Sequence, residues 1–404
     1  MCPTSLPPAA PPRKPVLFFA NTDWYLHNFR SELLEETARI FECRPVAFVP
    51  NGDYVNTLKA RGLKVCLARL DQRGINPFKD LLLLLQCLWV FFRESPQLVH
   101  LFTIKCVLYG GVAARLLRIP RVCAITGLGH LFISNSWKNR LIRSGIKPLF
   151  RFALGGKNAR VVFQNTEDRD AYVQLGLVQL RHTELIRGSG VNLNLFKSLP
   201  PARNPVPVFL YVGRLLGEKG VHDLLEAADL LHKKRFEFEL RLAGDVYPGN
   251  PSSLSHDELL MHQRKPYLRF LGHVANIQAE IARCEVVVLP SYREGTPKSL
   301  LEAAACSRAI LCSDIAGNQG VVLPDVNGYY FPPGEVELMA EAMEMMIASP
   351  ETIARYASNS RAVVERDFST HIVVGKTLLA YIGLLGQNHP AAPCVQAFNH
   401  FDEV

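Results

Sequence analysis

The feature that most constrains this chain is a strict alternation. Short apolar runs of strand length are each followed by a stretch of helix length, and the series halts once, in a Pro-, Asn- and Ser-rich segment from Asn192 to Pro207, before starting again. Strand-like runs at Val16 to Ala20, Pro45 to Val49, Lys64 to Ala68, Leu98 to Phe102, Arg121 to Thr126 and Arg160 to Gln164 precede the break. Those at Val208 to Val212, Glu239 to Ala243, Leu268 to Leu271, Val286 to Leu289, Ala309 to Cys312 and Tyr329 to Phe331 follow it. Strands alternating with helices point to parallel sheets covered on both faces. The pattern predicts two doubly wound α/β units in series, with a ligand cleft at the carboxyl ends of their strands. The boundaries expected are a Pro-rich tail over 1–15, domains over 16–195 and 208–368, and a last helical segment over 369–388. One helix is expected from the turn after Ala20 to near Arg39, and others from Val221 to Lys233, Glu337 to Ala348 and Pro350 to Arg366.

A length of 404 residues suffices for two domains with real cores, and 48% apolar against 20% charged residues is a globular balance. The ten cysteines show no C-x-x-C and no zinc-like Cys/His spacing, so they read as buried thiols of a reducing cytosol. The net charge of +8 is unevenly spread. Residues 1–200 carry 27 Lys/Arg against 13 Asp/Glu, and no acidic residue lies between Glu94 and Glu167, a span with eleven Lys/Arg. Such a field attracts a polyanion, and without any nucleic-acid-binding motif an anionic membrane surface is the partner it favours. The segment Trp137 to Arg151, mixing cations with apolar side chains, reads as an amphipathic helix suited to a headgroup layer. Met1 to Pro15 lacks the apolar core of a signal peptide. The run Leu81 to Phe92, interrupted by Gln86, is too short to span a bilayer and reads as a core helix. The expected location is therefore cytoplasmic, peripheral on a membrane.

Two loops carry the chemistry. The first follows the strand Val208 to Val212 and reads V-G-R-L-L-G-E-K-G: Gly213 gives close backbone approach, while Arg214 and Lys219 are suited to a diphosphate. The second follows Val286 to Leu289 and reads P-S-Y-R-E-G-T-P-K-S-L-L-E. Thr296 is the expected N-cap and Pro297 the first helical residue, so the helix N-terminus, with Gly295 and Lys298 beside it, is disposed toward an anionic group. Glu294 and Glu302 frame that turn, and carboxylates there suit ligand hydroxyls rather than phosphate.

The pair Glu294 and Glu302, seven residues between them, together with G-R-x(4)-K-G at Gly213 to Gly220, resembles family 4 of the retaining glycosyltransferases. T-G-L-G-H-L-F from Thr126 and N-T-D-W-Y-L-H-N-F-R from Asn21 are similar to the members that build capsule, O-antigen and other lipid-linked oligosaccharides. The resemblance implies the GT-B architecture, two Rossmann-like domains facing a central cleft, with the last helix crossing back to the first. It implies transfer of a hexose or N-acetylhexosamine from a nucleoside diphosphate sugar, UDP-linked, to a lipid-linked saccharide, without metal or cofactor. Arg214 and Lys219 would then stabilise the diphosphate, Glu294 hold the donor sugar and Glu302 the ribose. His27, Lys105, Thr126 and His130 are the acceptor-side candidates. The D-x-D at Asp168 and Asp170 reads as the first turn of a helix and not as a metal site. The chain departs from many relatives in lacking a glycine pair at Thr22 to His27 and a Glu in Gly317-Asn318-Gln319-Gly320. Rival readings are a sugar-nucleotide epimerase of the same fold, which needs acid/base groups in the cleft, and a silent nucleotide-sugar-binding scaffold.

Overall fold

A computed structural model describes residues 13–71, 76–127, 137–247 and 249–398, with the side chains of 137–145 left aside. The tail over 1–12 and His130 lie outside the described residues, as do the side chains of the first half of the basic helix predicted from Trp137. The chain forms two compact units. The first comprises residues 1–163, 168–186 and 374–404; the second comprises 164–167 and 187–373.

In the first unit, strands β1 (Val16–Phe19), β2 (Val46–Val49), β3 (Lys64–Leu67), β4 (Leu98–Phe102), β5 (Arg121–Ile125), β6 (Ala159–Phe163) and β7 (Thr183–Leu185) form one parallel sheet, in the order β3-β2-β1-β4-β5-β6-β7. β7 is three residues long, with no fully buried side chain, and lacks the apolar run by which the others are read. The two inner strands β1 and β4 are buried at every position, as expected of strands with helices on both faces. The helices Pro77–Glu94, Ile104–Leu116 and Trp137–Leu154 pack side by side in one layer. Right-handed crossovers from β3 to β4 to β5 to β6 put them on the same face of the sheet.

The single helix expected after β1 is two, Asp23–Phe29 and Ser31–Ile40. Arg30 breaks it at φ −131°, ψ 7° because its guanidinium turns back to the Tyr25 hydroxyl, 2.9 Å away, and lies over the Phe102 ring. Residues from Val374 onward belong to the first unit, where Tyr381 Oη sits 2.6 Å from His100 Nδ1 in a fully buried pair.

The second unit holds β8 (Val208–Val212), β9 (Glu239–Ala243), β10 (Leu268–Gly272), β11 (Val286–Leu289), β12 (Ala309–Ser313) and β13 (Gly328–Phe331), all parallel, in the order β10-β9-β8-β11-β12-β13. Its core gathers Leu210, Leu225, Leu240, Val287, Leu301 and Ile310. The Pro-rich segment is anchored on this unit: Val191 and Phe196 are buried in its core, and Arg361 donates to the carbonyl of Phe196 at 2.9 Å. All described cysteines are free thiols, and two depart from the expectation of burial: Cys43, in the bend after the helix Ser31–Ile40, is half-buried, and Cys394, in the short helix Ala392–Gln396, is exposed. Among the described residues no helix is long and apolar enough to cross a membrane.

Candidate active site

The second sheet changes direction between β8 and β11. From β8 the chain goes to β9 on one side, and from β11 to β12 on the other, so the loops leaving these neighbours part and open a crevice at their carboxyl ends. Those loops are the two singled out in the sequence. They touch through Gly220, at φ +68°, where an added Cβ would stand 2.1 Å from the Pro290 carbonyl oxygen. Gly220→Ala therefore forces a left-handed residue and parts the loops. It is expected to cost about 2 kcal/mol, measured as a lowered denaturant midpoint at unchanged m-value.

One carboxylate oxygen ties the loops together. Glu294 Oε1 accepts from Lys219 Nζ at 2.5 Å and from Ser291 Oγ at 2.8 Å, with both charged side chains mostly enclosed. The described bonds all fall on Oε1, so Oε2 adds acceptor capacity that these bonds do not use. Arg214 is exposed beside them. The Tyr211 hydroxyl donates to its carbonyl at 2.7 Å, and its guanidinium carbon stands 5.7 Å from the Tyr247 ring centroid. A buried strand residue thus fixes the backbone while the cationic head stays at the mouth of the crevice.

The helix after β11 runs Lys298–Ala305, and Pro297, not Thr296, is its N-cap, at φ −74° and ψ 120°. Thr296 cannot hold the cap because the extended Pro297 already ends the helical dihedrals. No side chain caps this terminus, so its first amides remain disposed toward the crevice. One turn in, Glu302 is buried, with its closest cation, Lys298 Nζ, 3.9 Å away. Burial pushes its carboxyl up to about 7, against a smaller opposing pull from Lys298.

Two further groups complete the crevice. Gly188, at φ +68°, lies against Thr296, where a Cβ would meet the Thr296 Cβ at 3.0 Å. Its neighbour Arg187 reaches Gly320, where a Cβ would lie 2.1 Å from the guanidinium. Gly317 backs onto Glu294, and a Cβ there would stand 2.3 Å from the Glu294 carbonyl oxygen. Asn318, fully buried, donates to the Ser313 carbonyl at 2.8 Å. The sequence reading passed over Arg187 and Gly188; R-G-S-G just after β7 is the signal that marks them. In Gly317-Asn318-Gln319-Gly320 the loop supplies close backbone approach.

The first-unit candidates lie apart from one another in role. His27 stacks on Tyr54 at 4.6 Å, its Nδ1 is buried without a hydrogen-bond partner, and burial lowers its pKa. Lys105 donates to the Asp71 carbonyl at 2.8 Å and to Asp80 at 3.2 Å, which turns its ammonium toward the start of the helix Pro77–Glu94. Thr126 follows β5 and is half-buried. Asp168 is buried in the helix Thr166–Gln174, whereas Asp170 is exposed and pairs with Arg169, so the two are not convergent ligands. The first sheet's own switch point, between β1 and β4, holds Thr103 at φ +69° and ψ 157°. A side-chain-bearing residue adopts that conformation only at a cost of about 1–3 kcal/mol.

Residues 196–363 match the family of glycosyl transferases group 1. The chain is 27% identical to the Campylobacter jejuni N,N'-diacetylbacillosaminyl-diphospho-undecaprenol alpha-1,3-N-acetylgalactosaminyltransferase, covering 77% of this chain and 84% of the relative. It is 25% identical to the Escherichia coli UDP-Gal:alpha-D-GlcNAc-diphosphoundecaprenol alpha-1,3-galactosyltransferase, covering 78% and 82%. Among solved structures, Anabaena Alr3699/HepE in complex with UDP and glucose superposes with a TM-score of 0.72 at 19% identity, over 91% of this chain and 98% of that one.

Proposed function

We propose, from the premise that this chain is a glycosyltransferase of the GT-B fold resembling those of lipid-linked saccharides, that it moves a hexose or N-acetylhexosamine from a UDP-sugar to a polyprenyl-diphosphate-linked saccharide, with retention. The observation that carries the reading is the Lys219–Glu294 pair, 2.5 Å apart at the switch point with Arg214 beside it. It supports the reading because cations suited to a diphosphate lie next to a carboxylate whose second oxygen has no described partner. The lipid-linked acceptor is supported by the names of the relatives, which act on undecaprenol-diphosphate sugars. UDP is supported by the galactosyltransferase and by the ligand of the superposed structure.

In this reading the C1–oxygen bond to the β-phosphate breaks, and the acceptor hydroxyl oxygen bonds C1 on the same face. Its proton passes to the departing phosphate. Negative charge grows on that phosphate, so Arg214, Lys219 and the uncapped helix amides bind the transition state more strongly than the ground state. Glu294 Oε2 orients the sugar, and Glu302 takes the ribose hydroxyls. The positive charge comes from side chains and a helix terminus, and no metal is assigned.

The test is a thermal-shift series with UDP, GDP, ADP and their sugars, with and without EDTA. UDP at a hundred times its Kd is expected to add about 2.7 kcal/mol, unchanged by EDTA. Arg214→Ala/Lys219→Ala is expected to remove that stabilisation. A shift confined to GDP or ADP, or one that disappears with EDTA, would overturn the donor assignment; no shift with any nucleotide would sink the reading of the site.

A further inference from the structure

The helix Pro77–Glu94 has two apolar faces, only one of which is used. Leu83, Cys87, Val90 and Phe91 are buried on the sheet, as the expectation of a core helix requires. Phe78, Leu81, Leu82, Leu85, Trp89 and Phe92 are between 52% and 82% exposed. Their spacing puts them on a single stripe of the opposite side, roughly 20 Å long at 1.5 Å per residue. Gln86, the polar interruption in this run, sets the orientation: its Nε2 donates to the Leu67 carbonyl at 2.8 Å and its Oε1 accepts from Arg69 N–H at 2.9 Å. That clamps the helix to the edge strand β3 and extends the apolar surface to Leu67, which is half exposed. Six large side chains on one ridge exceed the scattered apolar exposure normal for a soluble surface.

We infer that this ridge is a membrane-docking surface, which seats the first unit in the headgroup–acyl boundary of an anionic phospholipid bilayer. The chemistry around it selects that occupant. The Arg93 guanidinium stands 4.2 Å from the Trp89 ring centroid, and Lys79 is exposed at the other end, so cations bracket the stripe as they do on interfacial helices. The nearby carboxylates are each engaged by a cation: Glu94 by Lys64 and Arg93, Asp80 by Lys105, Asp71 by Lys79. The helix beside it in the layer, Ile104–Leu116, and the next one, Trp137–Leu154, fall in the span from Ser95 to Thr166, which has no Asp or Glu at all. A second copy of this surface would meet it with like charge, whereas anionic lipid meets it with opposite charge. Residues 1–12 offer only Met1 and Leu6 as large apolar side chains, too few to cover the ridge. The inference rests on this surface alone, independently of the sugar and acceptor proposed above.

The test uses the full chain with vesicles of phosphatidylcholine alone or mixed with phosphatidylglycerol. Sedimentation with the mixed vesicles is expected, severalfold weaker with phosphatidylcholine alone. Leu85→Glu/Trp89→Glu is expected to weaken it by at least about tenfold, equivalent to 1.4 kcal/mol, while the circular dichroism and melting of the free protein stay unchanged. In Trp24→Phe/Trp137→Phe protein, where Trp89 is the remaining tryptophan, its emission is expected to shift to the blue and be quenched by brominated lipid. Binding that survives Leu85→Glu/Trp89→Glu, or emission of Trp89 that lipid does not change, would overturn the inference. So would a dimer in ultracentrifugation that the same substitutions dissolve, in protein that ignores vesicles.

Discussion

Glu294→Gln is expected to lower kcat by about 10³ while leaving the fold intact. The reason lies in what the amide keeps and what it loses. Its oxygen can still accept from Ser291 Oγ, now 2.8 Å from Oε1, so the turn retains its shape. Lys219 loses its charge partner but keeps some contact with solvent, its side chain being 19% exposed. On the other oxygen the change is chemical: in the proposed role, a charged acceptor of sugar hydroxyls becomes a weaker neutral one, or an NH2 that cannot accept at all. Removing one preorganised polar contact from a reacting centre costs about 10²–10³ in kcat, and the released Lys219, drawn to the diphosphate, adds mispositioning. Nucleotide-induced stabilisation should persist or grow, since Lys219 then has only phosphate to bind. A kcat within about threefold of the parent protein would sink the role given to Glu294.

The combination of lost turnover and kept nucleotide binding separates the enzyme from its rivals. A scaffold has no turnover to lose, and an epimerase would convert the nucleotide sugar with no acceptor present.

Much of this site was legible because its parts are local. Each motif sits directly after a buried strand, and strands read easily as continuous apolar runs; β8, β9 and β11 fall where the residues place them. What was not legible came from contacts distant in sequence or from near-ties in local preference. Arg187 and Gly188 come to Thr296 and Gly320 across more than a hundred residues, so R-G-S-G can mark the two residues but not the partners they meet. Thr296 and Pro297 compete for one cap, and the extended ψ of 120° at Pro297, which the ring does not fix, decides it. The helix Pro77–Glu94 is nearly apolar all round, so periodicity could not say that one face stays uncovered. Thr103 shows the same limit from the other side: its residue type favours strand, and only the tertiary context drives it to a positive φ.

If Glu302 holds the ribose as proposed, one proton ties stability to nucleotide binding. Its folded-state carboxyl, raised by burial to about 7 from an ordinary 4.5, keeps its proton where the unfolded chain has lost it. The sign follows: between about 4.5 and about 7 the folded state binds more protons, so the stability from this group is complete below 4.5 and is lost as pH rises through 7. At 1.36 kcal/mol per unit the full loss is about 3 kcal/mol. Glu302→Gln, which cannot ionise, should therefore be more stable than the parent by up to about 3 kcal/mol above neutrality, with the difference shrinking toward zero in acid. Denaturant unfolding across that range measures it, and a difference independent of pH would show the carboxyl to be solvated. The same proton makes the ribose assignment testable on its own. Hydroxyls donating to the carboxylate favour its ionised form and pull the pKa back down, so nucleotide binding near pH 6 should release close to one proton and tighten as pH rises toward 7. Calorimetry in buffers of different ionisation enthalpy reads that release, and Glu302→Gln should abolish it. Release that survives the substitution would move the ribose to another group, while leaving the stability effect to Glu302.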